Sequence, residues 1–135
     1  MQNSLYKVGD QASISKTVSE TDVYLFAGIT GDFNPAHVNE VEASGGRFRG
    51  RIAHGMLSAG FISAAIAMKL PGPGTIYLGQ ELKFTKPVRI GDTVTATITI
   101  KELLAEKNIA KLDTRCTNQR NETVITGTAD VLLPV

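Results

Sequence analysis

Residues 55–69 read GMLSAGFISAAIAMK and residues 70–74 read LPGPG. Apart from Ser58, Ser63 and Lys69, every side chain in the first stretch is apolar or a single hydrogen. A helix that is apolar nearly all the way round is expected to be buried on every side, and the Pro-Gly pairs stop it. Its greasiest part, residues 57–68, is about twelve residues long against the roughly 20 a bilayer requires, so the stretch predicts a core helix and not a membrane span.

Downstream, the pattern turns to strand. Ile76, Leu78, Leu82 and Phe84 are expected on one face of a first strand, which Pro87 and Gly91-Asp92 close with a turn. Over 93–100 the alternation is complete, Val94, Ala96, Ile98 and Ile100 against four threonines, which predicts one buried and one wet face. Ala110, Leu112, Thr114 and Cys116 oppose Lys111, Asp113 and Arg115 in the next strand. Residues 119–122 form a hairpin turn into a last strand over 123–133.

Upstream, a short strand is expected over 11–17. Ser19 then caps a helix with Glu20 and Asp22 in its first turn, Val23, Phe26, Ala27 and Thr30 at helical spacing, and Gly31 at its end. Periodicity disappears over 32–52, where Asn34-Pro35, Ser44-Gly45-Gly46 and Gly50 leave loops with at most a short helical turn. The sum is an α+β fold, an antiparallel sheet wrapped around a long buried helix. Five strands cannot enclose that helix, so the open sheet edge should be covered by a second copy of the chain, giving at least a dimer.

The 135 residues, 42% of them apolar, suit one domain over 1–135. With 14 basic and 13 acidic residues, the net charge of +1 offers no field for nucleic acid or an anionic membrane. Cys116 is the single cysteine and the first residues lack a secretion pattern, so a reducing, cytoplasmic setting is expected. Two histidines, without metal-binding spacing, predict no metal site, and no phosphate-binding glycine motif is present.

Within the irregular segment, Asp32 and His37 stand five residues apart across the Asn34-Pro35 turn. A carboxylate and an imidazole that meet can orient and deprotonate a water and return a proton. Spacing alone leaves open a plainer pairing, with Asp32 in an Asx turn and His37 half-buried. At the helix start, Gly55 leaves an unhindered amide where the helix favours negative charge, or simply allows close packing. His54 reads as a structural hydrogen-bonding residue, and Ser63 as a polar group that back-bonds within the helix or faces a ligand. Arg47, Arg49 and Arg51, with Lys83, Lys86 and Arg89, are solvated surface or the places to look for phosphate contacts.

Phe26 followed by Gly31-Asp32-Phe33-Asn34-Pro35-Ala36-His37 resembles, without interruption, the hydratase-2 motif of the MaoC-like, R-specific enoyl-CoA hydratases. The likeness continues through His54-Gly55-Met56, residues 71–78 and Gly91-Asp92-x-Val94, and is strongest to the short monofunctional members that feed polyhydroxyalkanoate synthesis. The resemblance implies a hot-dog fold, a homodimer, and syn hydration of trans-2-enoyl-CoA to (R)-3-hydroxyacyl-CoA with no cofactor, coenzyme A entering only as part of the substrate. It implies Asp32 and His37 as the catalytic pair, the Gly55 amide polarising the thioester carbonyl, and Ser63 supporting the site from the helix. Ile66, one turn beyond Ser63, and Val131, inward on the last strand, are expected to limit a short to medium acyl chain. An acyl-CoA thioesterase, a dehydratase acting on carrier-protein thioesters and a non-catalytic acyl-CoA-binding module are the rival readings.

Overall fold

The computed structural model describes residues 5–135. Five strands form one antiparallel sheet: β1 (Gln11–Thr17), β2 (Ile76–Phe84), β3 (Thr93–Leu104), β4 (Ile109–Thr117) and β5 (Thr123–Leu132), in the spatial order β1-β3-β4-β5-β2. Between β1 and β2 run four helices: α1 (Glu20–Thr30), α2 (Pro35–Val38), α3 (Glu40–Ser44) and α4 (Gly55–Met68). The irregular segment therefore holds two short helices where loops with at most a short helical turn were expected. Asn34 and Asn39 start them, each accepting a backbone amide two or three residues on, and Pro35 is pre-set for a helix's first position. The α+β arrangement of helix on antiparallel sheet is as expected.

Helix α1 forms for local reasons. Ser19 and Asp22 make a reciprocal capping box, and Gly31 closes the helix at φ 83°, a left-handed conformation that glycine adopts without strain. The rest of the fold rests on α4. Ser58, Ala59, Ile62, Ala65 and Ile66 are buried, and Ile62, Ala65 and Ile66 share one core with Val94, Ala96, Ile98 and Ile100 of β3 and Val131 of β5. Full burial of Ile62 or Ile66 is worth about 1.5–3 kcal/mol each.

Three expectations change. Helix α4 is not buried on every side: Met56, Gly60 and Ala67 leave an exposed stripe, with Ser63 half-buried between them, because the sheet curls around only one flank. The strand over 76–84 does not turn back onto β3. The chain crosses from the edge strand β2, beside β5, to the interior strand β3 between β1 and β4, with Ile52 bridging Arg89 on the way. Finally, a register shift between Tyr77 and Gly79 makes Leu78 the extra residue of a bulge. Tyr77, Gln80, Leu82 and Phe84 thus share the face of Val131, Ala129, Gly127 and Ile125, whereas Ile76 points to the other side. No helix among the described residues is long and apolar enough to cross a membrane.

Candidate active site

The carboxylate of Asp32 and a ring nitrogen of His37 converge, together with one of His54, to within 4.8 Å of one another. Several local bonds bring this about. The Asp32 amide is held by Thr30 Oγ1 at 3.2 Å, and Asp32 Oδ1 accepts the Asn34 amide at 3.2 Å, an Asx turn that aims the carboxyl inward over the loop. Asn34 Oδ1 caps α2 through the Ala36 amide at 2.9 Å, and α2 carries His37. The plainer reading of Asp32 as an Asx-turn residue and the convergence with His37 therefore hold together; the turn produces the convergence.

His37 is half-buried, and its Nδ1 lies 2.7 Å from the Ile52 carbonyl. A carbonyl can only accept, so Nδ1 carries the hydrogen and Nε2 is left with a free lone pair. His54, 2% exposed, places Nε2 2.9 Å from the Asp32 carbonyl. Its ring is stacked on His37 with centroids 3.9 Å apart at 27°, and Phe26 packs against it at 4.8 Å. One ring nitrogen of each histidine is engaged by a backbone carbonyl, His37 Nδ1 by Ile52 and His54 Nε2 by Asp32.

Helix α4 begins at Gly55 without any side-chain cap, since the His54 ring turns towards Asp32. Among the described residues the Gly55 and Met56 amides have no partner. The two readings of Gly55 again coexist: a Cβ there would stand 2.7 Å from the Phe84 ring, so close packing requires glycine while its amide stays open. A cavity of about 450 Å³ adjoins this helix end, between Gly55, Ser58, Phe84, Val88 and Val124. The buried Ser58 hydroxyl on its wall has no partner among the described residues. Sequence reasoning did not single out Ser58; a serine among apolar residues on the buried face was the available signal.

A second cavity, of about 440 Å³, opens between α4 and β2, lined by Phe26, Met56, Gly60, Ser63, Tyr77 and Leu82. Ser63 lines this space, and among the described residues it makes no hydrogen bond to the helix carbonyls. Ile66 and Val131, expected to limit the acyl chain, belong to the core cluster. Neither lines the second cavity; Val131 is the cross-strand neighbour of Tyr77, a residue of its wall.

The basic residues divide. Arg51 is bound to Glu40 (2.8 Å), Glu20 (2.6 Å) and Tyr24 (2.8 Å), and Glu40 first, then Glu20, push its guanidinium pKa upward. Lys86 pairs with Glu122 at 2.9 Å, and Arg89 donates to the Phe48 and Gly50 carbonyls. These three are part of the scaffold. Arg47, Arg49 and Lys83 make no such bonds among the described residues.

Residues 7–124 match the family model described as MaoC like domain. The chain is 57% identical over 128 residues to an (R)-specific enoyl-CoA hydratase of Rhodospirillum rubrum, covering 95% of this chain and 88% of that protein. It is 44% identical to a 3-hydroxybutyryl-CoA dehydratase of Methylorubrum extorquens, covering 95% and 81%. The solved (R)-hydratase from Aeromonas caviae involved in PHA biosynthesis superposes with a TM-score of 0.93 at 42% identity, over 96% of this chain and 98% of that one. The sheet-and-helix arrangement is the hot-dog fold.

Proposed function

The chain belongs to the MaoC-like family, and we propose that it is an (R)-specific enoyl-CoA hydratase, adding water reversibly to short- and medium-chain trans-2-enoyl-CoA. The observation that carries this reading is the convergence of the Asp32 carboxylate and the His37 ring beside an α4 helix whose first amides have no partner among the described residues. Asp32 and His37 Nε2 hold one water; its oxygen bonds to C3 while its proton passes to the pair, and C2 receives a proton from the same pair. Charge building on the thioester oxygen is met by the Gly55 amide, a contribution typically worth about 3–4 kcal/mol. The reaction is redox-neutral, so these groups suffice without a cofactor, and coenzyme A arrives as part of the substrate.

Ser63 borders the cavity between α4 and β2, where the acyl chain is placed; Ile66 and Val131, in the core and not in that lining, set how far it reaches. The exposed α4 stripe and the β2 edge, with Ile76, Leu78 and Phe84 half or more exposed, are covered by a second copy in a homodimer. Mixing the protein with four- to eight-carbon trans-2-enoyl-CoAs tests the assignment. Loss of enoyl absorbance with (R)-3-hydroxyacyl product and no free thiol is expected. Thiol release would make it a thioesterase, binding without turnover an acyl-CoA-binding module, and turnover confined to carrier-protein thioesters a carrier-protein dehydratase.

A further inference from the structure

His54 occupies the position before the first residue of α4, where serine, threonine, aspartate or asparagine would cap the helix. It makes no cap bond. Its ring instead reaches back 22 residues in sequence to the Asp32 carbonyl, at 2.9 Å, and lies against the rings of His37 and Phe26. At 2% exposure, with Nδ1 buried and unpartnered among the described residues, this imidazole is enclosed on all sides. The carbonyl fixes the hydrogen on Nε2, because the other tautomer would set two lone pairs facing each other 2.9 Å apart.

Resting on the assignment of Asp32 and His37 as the reacting pair, we propose that His54 is the positioning residue that sets the distance between them. Its two contacts go to the two members separately: a hydrogen bond to the backbone of Asp32 and a ring face to His37. Asp32 itself is exposed and sits at the end of a helix, and His37 rides on the four-residue helix α2, so neither element is stiff alone. His54 is anchored by the first turn of α4, and through its ring the position of the pair is referred to the helix that offers the Gly55 amide. Acid, base and oxyanion donor are thereby held in one frame, and misplacement by about 1 Å in such a frame costs on the order of 100-fold in rate.

Two variants separate the contacts. His54→Phe keeps a ring face and removes the donor; His54→Gln keeps an N–H donor and removes the ring. Each is measured for melting temperature, kcat and KM on crotonyl-CoA, alongside the unaltered protein and Asp32→Asn. The expected result is a 10- to 100-fold fall in kcat for His54→Phe with KM changed less than threefold, and a smaller fall for His54→Gln. In an Asp32→Glu background, whose carboxylate is already out of place, His54→Phe should cost less than threefold more. Wild-type kcat in folded His54→Phe overturns the proposal. So does a rise in KM at constant kcat, or a loss that multiplies in full with Asp32→Glu. If His54→Phe does not fold, His54→Gln decides by the same criteria. An unaltered protein with no hydratase activity refutes the functional assignment itself, whereas an active one with an indifferent position 54 refutes only this proposal.

Discussion

Asp32 Oδ1 accepts the Asn34 amide, and the same carboxyl group faces the His37 ring, so one short turn both shapes the loop and aims the acid. The motif made these two residues legible because the turn that joins them is local. His54 was legible only as a hydrogen-bonding residue: its partner lies 22 positions away, and the one sign in the sequence was a histidine where a helix cap belongs. Cys116 gives a prediction of its own. It is fully buried, donates to the Ser58 carbonyl at 3.7 Å, and burial pushes its thiol pKa up to about 12. A thiol reagent at pH 8 should therefore label the native protein at a rate set by unfolding, and labelling within seconds in the absence of denaturant would contradict the packing. Because the fold favours the neutral thiol, this contribution to stability is complete below the ordinary thiol pKa near 9 and is lost as pH rises towards 12.

At the scale of elements, α1 shows how far a local signal reaches. Ser19 and Asp22 cap it reciprocally, and Ser19→Ala should cost about 1 kcal/mol in urea unfolding. The Asp22 carboxyl is held below its ordinary 3.8 first by the Lys16 ammonium, at 2.7 Å, and then by the Ser19 amide. A depressed acid stabilises the fold above its unfolded pKa and loses that contribution as pH falls through the folded value. The stability gap between the wild type and Asp22→Asn should thus be widest near neutrality and close below about pH 4; a gap that is independent of pH would sink this assignment. Strand β2 is the counter-example. Its residues announced a strand, but neither its place beside β5 nor the Leu78 bulge could be read, because both follow from pairing with residues about fifty positions later. Gly127 enforces that pairing: a Cβ there would lie 2.0 Å from the Glu81 carbonyl oxygen. Gly127→Ala should cost at least about 3 kcal/mol, read from the shift of the urea midpoint, and a neutral effect would mean that β2 packs elsewhere.

For the whole molecule, the fold class followed from one apolar helix and a run of alternating strands, but the expectation that the helix is buried all round overshot. The stripe from Met56 to Ala67 and the outer edge of β2 lie open in a single chain, next to the cavity that holds Ser63. In the proposed dimer this helix serves two interfaces, and periodicity does not say which part faces the sheet and which a partner. Light scattering should accordingly give twice the 14.4 kDa of one chain. Met56→Glu and Leu78→Glu should each shift that mass to a single chain and lower hydratase activity together with it. A wild-type protein of one-chain mass with full activity would contradict the proposed assembly.

The proposed chemistry depends on Asp32 and His37 acting on one water as a unit, and groups that act as a unit are non-additive when removed. The most direct measurement is kcat for crotonyl-CoA hydration by Asp32→Asn, His37→Gln and the double variant, each shown to be folded. Each single change should lower kcat by about 10²–10⁴-fold, and the double variant should fall no more than about tenfold below the slower single one. Losses that multiply in full, or a single variant that keeps wild-type turnover, would contradict a shared reaction centre.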